Sequence, residues 1–302
     1  MTFATLLAAV SIVFPPEGAK LPYLERCYVM GAADGGETTL AVSCLVSRVS
    51  SPVLVSRTGA WATVVDVQPG TNVVEVDGVK RAFVVEAGGT SRTSGTSRTY
   101  KKLEYAADAA KPHPAGKRPE EITVVIDAGH GGQDNGAMSP HGLPEKDANL
   151  RLAKAVRDEL VERGYRVVMT REDDTFVGLY DRPKVAHREG ADLFVSIHHN
   201  APGYGSNPFS IRSQSVYAWN ALGEGLAKAI NVRMAAADPS LGNDGVLHAN
   251  FAVTRNPEIP SCLIEADYIT HPEGESAAWD ASRRPKIAAA IADGIADWVA
   301  GN

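Results

Sequence analysis

A run of β-branched residues that stops at a glycine-flanked histidine is the strongest constraint on how this chain folds. Residues 122–126 read Ile-Thr-Val-Val-Ile, and Asp127-Ala-Gly-His130-Gly-Gly follows directly. Such runs are typical of parallel strands covered on both faces, and ligands of open α/β sheets bind beyond the carboxyl ends of these strands. His130 is therefore predicted to be a metal ligand; the alternative is a polar residue in a tight turn.

Two later segments provide partners for this histidine. Glu145 opens a stretch whose apolar residues recur with helical spacing up to Gly164, and a second apolar run at 191–197 ends in His198-His-Asn. A carboxylate at a helix start is also explained by the helix dipole. Taken together, however, two histidines and one glutamate with a vacant fourth position are the protein ligands of a catalytic zinc site.

A fourth apolar strand, residues 261–265, ends in a carboxylate. Glu265 would suit a general base close to the metal. The structural alternative is a buried acid that needs an ion pair, for which Arg255 is the candidate.

Four motifs in this order resemble one family. They are Asp127-Ala-Gly-His-Gly-Gly, Gly142-Leu-Pro-Glu-Lys-Asp with Asn149, Ser196-Ile-His-His-Asn and Leu263-Ile-Glu. Over residues 121 to 300 the chain resembles the zinc-dependent N-acetylmuramoyl-L-alanine amidases of the amidase-3 type. The resemblance implies a Zn²⁺ cofactor, peptidoglycan as the partner, and hydrolysis of the amide between N-acetylmuramic acid and L-alanine.

Further site residues are expected around these motifs. Asn200, Tyr204 and Arg255 are predicted to bind substrate, with Tyr204 stacking on sugar or closing over the stem peptide; ordinary loop packing is the alternative. Asp127 either ends its strand or accepts the second imidazole N–H of a ligand histidine. His199 is expected on the opposite face, in a supporting or solvated position.

The segment after His198 also bears on regulation. Some members of the family block their zinc with an inserted helix. The chain between His198 and the strand expected near residue 214 is too short for a long one. The enzyme is therefore predicted to be unmasked.

Two other functions remain open. The fold could serve as a non-catalytic peptidoglycan-binding module, or the same zinc chemistry could act as a peptidase on stem peptides. Zinc and glutamate would hydrolyse any amide that the site can hold. A phosphate loop and a serine nucleophile elbow are both disfavoured, since neither motif is complete in the sequence.

The chain divides into four predicted segments. Residues 1–10 are interpreted as the remnant of an export signal or as a first strand, and 11–87 as a small antiparallel, immunoglobulin-like β-sandwich that acts as a spacer or a binding module. Residues 88–120 are expected to be a flexible linker that lets the domains move relative to one another. Residues 121–302 are predicted to form an α/β catalytic domain, a twisted, mostly parallel sheet with helices on both faces.

The net charge and the cysteine content bear on the binding partners and the cellular location of the protein. The net charge of −6 disfavours nucleic acid as a partner. Stable membrane insertion is not predicted either, because the sequence has no basic cluster beside an apolar helix face. The location is predicted to be the periplasm or cell envelope. There Cys27 and Cys44 could form a bridge, whereas Cys262 reads as a buried hydrophobic residue.

Overall fold

The computed structural model describes residues 10–34, 39–45, 49–87 and 113–301. Most of the expected signal remnant and residues 88–112 of the expected linker lie outside these ranges. Val10, the last residue of the expected remnant, belongs to the first strand. The described chain consists of an N-terminal β unit and a larger α/β unit.

Eight strands form the N-terminal unit as two sheets. A three-stranded antiparallel sheet has the order β1-β3-β6, and a five-stranded sheet has the order β2-β8-β7-β4-β5, in which only β2 and β8 pair in parallel. The strands are β1 Val10–Phe14, β2 Lys20–Leu21, β3 Arg26–Ala33, β4 Thr39–Cys44, β5 Val49–Leu54, β6 Ala60–Asp66, β7 Gly70–Val76 and β8 Val79–Val85.

Both sheets contribute to one core, as a sandwich requires. Trp61 of β6 and Val29 of β3 pack with Leu40 of β4 and Phe83 of β8, and all four side chains are buried. Alternation of buried and exposed positions along β4 produces this one-sided burial. The immunoglobulin-like assignment stays a prediction.

The cysteines of this unit are not bridged in the structure. Cys27 and Cys44 both lie in the sandwich core as free thiols. Burial, together with the neighbouring Cys44, raises the pKa of the Cys27 thiol to about 12. Cys262 is buried as expected.

The α/β unit has six strands and five helices. The strands are β9 Thr123–Ala128, β10 Arg166–Met169, β11 Leu193–Asn200, β12 Ser213–Ala218, β13 Gly242–His248 and β14 Ser261–Tyr268. The helices are α1 Glu145–Glu162, α2 Arg182–Arg188, α3 Ala221–Ala237, α4 Pro272–Trp279 and α5 Arg283–Ala300.

One mixed, mostly parallel sheet carries this unit. Its order is β10-β9-β11-β14-β12-β13, and only the β12–β14 pair is antiparallel. Alternate residues of β9 face opposite layers: Val124 packs in the core shared with α1, α3 and α5, whereas Val125 packs against α2. The predicted sheet with helices on both faces is confirmed.

One helix of the α/β unit was not predicted from the sequence. This helix, α4, follows β14. The signal for that helix was present, because Pro272 occupies its first turn and the His271 ring accepts from the Glu273 N–H at its N-terminus.

The two units contact each other directly. The Tyr28 N–H of β3 donates to the Tyr204 carbonyl at 2.6 Å, and the Tyr204 ring stacks on Phe14 with centroids 5.7 Å apart. At a second point His141 Nε2 lies 3.0 Å from the Thr58 carbonyl. The last residues before the α/β unit are also held, because the His113 ring lies 4.4 Å from that of Trp298 on α5.

Within the described ranges, no helix combines the length and apolar character needed to cross a bilayer.

A close approach of α3 and α5 yields a stability prediction. A Cβ at Gly294 of α5 would stand 2.5 Å from Ile230 Cα of α3. Although alanine favours helices, Gly294→Ala should lower the free energy of unfolding by about 1–3 kcal/mol through overpacking. Urea unfolding measures this, with exposed Lys286→Ala on the same helix as the control; a stabilised Gly294→Ala would contradict the packing.

Candidate functional site

Three candidate metal ligands meet at the carboxyl edge of the central strands. His130 follows β9, Glu145 begins α1, and His198 lies near the end of β11. One ligand atom from each of these residues lies within 4.8 Å of the others. The strand register explains why these residues lie together. β11 pairs with both β9 and β14, which places Ile197 opposite Ala128 and His198 opposite Glu265.

Glu145 is the centre of this group. Its Oε1 lies 3.0 Å from His198 Nδ1, and its Oε2 lies 3.3 Å from His130 Nε2. The same oxygens accept from the Asn149 amide at 3.0 Å and the Ala137 N–H at 2.9 Å. Burial raises the pKa of Glu145, but the two histidines outweigh it and hold the pKa well below its usual range. The carboxylate is therefore ionised and turned toward both imidazoles.

His130 is held in an unusual backbone conformation. Its φ is 60°, in the left-handed region that non-glycine residues rarely occupy. Its ring contacts two carboxylates, Asp134 at 2.9 Å through Nδ1 and Glu145 through Nε2. Burial lowers the pKa of His130, but these two carboxylates more than offset it and raise the pKa to about 9.

Glycine is required where the loop approaches the two histidines. A Cβ at Gly129 would lie 2.2 Å from His198 Nε2, and one at Gly136 would lie 2.5 Å from Glu145 Oε2 and 2.7 Å from the His130 ring. A side chain at Gly129 would therefore overlap the His198 ring, and one at Gly136 would overlap Glu145 and the His130 ring.

A buried ion pair supports the loop that carries His130. Arg182 Nη1 lies 2.8 Å from Asp127 Oδ1, and these side chains are only 5% and 0% exposed. Arg182 also donates to the Ala128 carbonyl at 2.8 Å and to the His130 carbonyl at 2.7 Å. Asp127 accepts further from Thr170 and Ser196, each at 2.6 Å.

These contacts decide between the two interpretations of Asp127. Its hydrogen bonds run to Arg182 and two hydroxyls rather than to a histidine ring, so the structure does not place it as an imidazole acceptor. Asp127 supports His130 through the Arg182 guanidinium and the backbone. Arg182 itself was not predicted, since an arginine after Asp181 reads as an ordinary surface cation.

A second buried arginine holds the same loop from the side. Arg171 donates to the carbonyls of Ala128 and Gly129, each at 2.9 Å, and to the Lys146 carbonyl at 2.8 Å. Its position two residues after β10, at the edge where His130 lies, is the signal that could have identified it.

His199 faces away from the metal group, as expected, but is not solvated. It is 3% exposed, and its Nδ1 lies 2.8 Å from the Asn149 amide oxygen. Burial lowers its pKa to about 4, so the ring is neutral at physiological pH. Asn149 thereby connects His199 to Glu145 and to the Gly129 carbonyl.

Glu265 supplies a carboxylate without a partner. Its Oε2 is buried and has no hydrogen-bond partner, and within the described chain Glu265 forms no ion pair. Burial first, and then the charge of Glu145, raise its pKa well above the usual range. The proposed ion pair with Arg255 is not formed; the Arg255 guanidinium lies 5.9 Å from the centre of the Tyr180 ring.

A cavity of about 500 Å³ opens over these residues. Its polar wall includes His130, His198 and Glu265, and Arg255 reaches its border. Asp134, Arg182 and Asn250 also line it, and the apolar side chains of the wall are Phe176, Val177, Leu179, Phe251, Ala252, Val253 and Leu263. An apolar wall around a few converging polar groups is the usual form of a small-molecule or substrate site.

The other two predicted substrate residues are not brought into this cavity. Tyr204 packs against Phe14 and Tyr28 of the N-terminal unit, which supports the loop-packing alternative. The Asn200 side chain accepts from the Ala201 N–H, and its backbone carbonyl accepts from Ile269. Arg255 alone of the three borders the site.

The donor set fits a divalent cation. Two imidazoles and a carboxylate converge, and a buried carboxylate oxygen of Glu265 remains unpartnered in the same cavity. These are ligands that zinc favours.

Comparisons with known proteins agree with this geometry. The model of the family Amidase_3, N-acetylmuramoyl-L-alanine amidase, matches residues 124–297. The chain is 34% identical to N-acetylmuramoyl-L-alanine amidase AmiA of Escherichia coli strain K12, over 71% of this chain and 90% of AmiA. The structure is similar to N-acetylmuramoyl-L-alanine amidase AmiC2 of Nostoc punctiforme, with TM-score 0.56 and 35% identity over 59% of this chain and 97% of that one. The catalytic domain of CwlV from Bacillus (Paenibacillus) polymyxa gives a TM-score of 0.55 at 35% identity, over 59% and 97% of the respective chains.

Removal of Arg182 tests the support of the His130 loop. Arg182→Gln leaves the Asp127 carboxylate buried without its cation, so the free energy of unfolding should fall by about 3–5 kcal/mol. Affinity for Zn²⁺ should fall by about 10-fold or more, because the His130 backbone loses a donor. Exposed Arg188→Gln on the same helix is the control and should change stability by no more than about 0.5 kcal/mol. Equal effects of the two variants would contradict the role of the pair.

The raised pKa of His130 predicts how metal affinity depends on pH. Below about pH 9 a metal must displace the proton of His130, so Zn²⁺ affinity should increase with pH by up to about tenfold per unit. Competition titrations at several pH values between about 6.5 and 9 measure this.

The stability of the metal-free protein should depend on pH in the opposite direction and decrease as the pH rises. The pKa of His130 is higher in the folded protein than the unfolded value of 6.5, so its protonation stabilises the fold. This stabilisation is complete below pH 6.5 and is lost as the pH rises through about 9. Pairing the titration with unfolding of the metal-free protein tests the sign. A Zn²⁺ affinity that does not change with pH would contradict protonation of His130.

Proposed function

Because the chain belongs to the Amidase_3 family of N-acetylmuramoyl-L-alanine amidases, we propose that it hydrolyses the amide between N-acetylmuramic acid and L-alanine in peptidoglycan with zinc as cofactor. His130, Glu145 and His198 are the proposed metal ligands, and Glu265 is the proposed general base. The observation that carries these roles is the unpartnered Glu265 oxygen in the cavity beside the converging His, Glu and His side chains.

His130, Glu145 and His198 would hold the zinc ion, which would supply the Lewis acidity that polarises a carbonyl and acidifies water. The low pKa of Glu145 suits this role, since a ligand carboxylate must be ionised. His199 and Asn149 orient the carboxylate from behind through the contacts described above.

Glu265 is proposed to move the proton. As the water oxygen bonds to the carbonyl carbon, Glu265 accepts the proton that the water loses. When the carbon–nitrogen bond breaks, Glu265 transfers this proton to the amine of L-alanine. In the metal-free protein its pKa is raised by burial and by Glu145; a cation nearby would lower the pKa and favour the base form.

Several finer assignments remain proposals. Residues 121–302 are the catalytic domain, residues 11–87 an immunoglobulin-like accessory domain with a spacer role, and residues 88–120 a linker. The protein acts outside the cytoplasm, in the periplasm or cell envelope, because its polymeric substrate lies there. Arg255 is retained as a substrate contact; Asn200 and Tyr204 would contribute only through the shape of their loop.

One experiment tests metal, base and substrate together. The wild type and Glu265→Gln should each bind about one zinc per chain. Muropeptide release by the variant should be lower by about 10²–10⁴-fold, since proton transfer is lost while the ligands remain. Exposed Glu162→Gln at the end of α1 is the matched control and should retain full activity.

The products identify the bond that is cut. New N-terminal alanine and free lactyl carboxylates on the glycan are expected from purified peptidoglycan. Cleavage inside the stem peptide would instead indicate a peptidase, and an unchanged rate in Glu265→Gln would exclude this residue as the base. Zinc binding without any cleavage would leave the peptidoglycan-binding module as the better description.

A further inference from the structure

We infer that Arg255 and the cavity beside it form a subsite for a free carboxylate of the stem peptide, which sets the direction in which the substrate lies. This inference rests on the proposed amidase function. It assigns a ligand to a second cavity that the hydrolysis itself does not use.

The second cavity adjoins the first. It has a volume of about 320 Å³ and shares Ala252 and Arg255 with the cavity over the candidate metal ligands. A ligand bound at the metal group can therefore extend past Arg255 without leaving the protein surface. Tyr180 and Lys184 also line this second cavity.

The charges of this cavity favour an anion at Arg255. Three residues that line it can carry positive charge, Arg255, Lys184 and His187. Lys184 is paired with Asp181 at 2.7 Å, and His187 lies 3.7 Å from Glu258. Arg255 is exposed and, among the residues that the structure describes, has no acidic partner.

The conformation of Arg255 prepares it for this contact. Its guanidinium carbon lies 5.9 Å from the centre of the Tyr180 ring, a cation–π distance that restricts the side chain without using its N–H donors. The planar guanidinium offers paired N–H donors that match a carboxylate. The site is therefore partly ordered before the ligand arrives.

The two cavities differ in the charged groups that line them. Asp134 and Glu265 line the first cavity together with His130, His198 and Arg182, whereas the second has no acidic residue in its lining. A substrate carboxylate at Arg255 therefore meets a cation and no acidic side chain in the lining of the second cavity.

This asymmetry matches the two sides of the bond to be cut. The glycan side presents neutral hydroxyl and acetamido groups, whereas the peptide beyond L-alanine carries free carboxylates. The stem peptide should therefore run from the metal group toward Arg255, and the glycan should leave the cavity on the other side.

Three synthetic muramoyl tripeptides test the subsite with the zinc-loaded full chain. One has all carboxylates free, the second is amidated at the second residue, and the third is amidated at the third residue. The wild type should cleave the free form with a kcat/KM higher by about tenfold or more than one amidated form, since a charge-assisted hydrogen bond is lost. The amidated form that is cleaved more slowly identifies which carboxylate of the stem peptide binds Arg255.

Variants assign this preference to Arg255. The ratio of kcat/KM for free and amidated substrate should collapse toward one in Arg255→Gln and be partly retained in Arg255→Lys. Exposed Arg188→Gln, outside both cavities, should keep the wild-type ratio. Equal cleavage of all three substrates by the wild type, or an unchanged ratio in Arg255→Gln, would overturn the subsite.

A binding measurement separates this inference from the proposed function. Calorimetry with the free and amidated tripeptides compares Glu265→Gln with Glu265→Gln/Arg255→Gln. Arg255-dependent preference for the free peptide without hydrolysis by the wild type would support the subsite and reject the amidase. Hydrolysis without any such preference, in rate or in binding, would reject the subsite alone.

Discussion

The buried ion pair between Asp127 and Arg182 is the interaction on which the site depends. Asp127 ends β9 and also receives hydroxyls from Thr170, after β10, and Ser196, on β11, so one carboxylate connects three neighbouring strands. The Arg182 guanidinium extends this hydrogen-bond network to the His130 carbonyl. A residue with φ of 60° needs such support, because its backbone conformation is intrinsically unfavourable. The fold thus places a buried charge pair beside the backbone of a candidate metal ligand.

The same sheet edge gives two carboxylates opposite properties. Glu145 and Glu265 are close enough to influence each other, yet the pKa of the first is lowered and that of the second is raised. Two imidazoles and several N–H donors surround Glu145, whereas Glu265 Oε2 has no partner. The first is suited to constant ionisation and the second to exchange of a proton. This division arises because His130 and His198 offset the burial of Glu145, whereas burial and the charge of Glu145 act on Glu265 without such partners.

The sequence was most informative where local pattern and global topology agree. Uninterrupted apolar runs ending in histidine or glutamate predicted the strands, their common edge and the convergence of His130, Glu145, His198 and Glu265. The supporting contacts were less accessible, because Arg182 is distant in sequence from Asp127 and an arginine on a short helix is usually exposed. Tyr204 shows the same limit: an aromatic residue in a loop after a ligand strand suits a substrate site, and only the position of the N-terminal sheet decides that it packs there.

The contact through Tyr204 makes the N-terminal unit something other than a detachable module. The outer face of its three-stranded sheet holds Tyr28, Met30 and Ala62, which pack with Phe14, Tyr204 and Phe209 in one apolar cluster. Separation of the halves would expose this surface on both, an arrangement that promotes aggregation. Replacing either unit with one from another protein would therefore leave the apolar surface of the remaining unit without its matching partner. A change of side-chain size on one side of this face would therefore need a matching change on the other to keep the cluster packed.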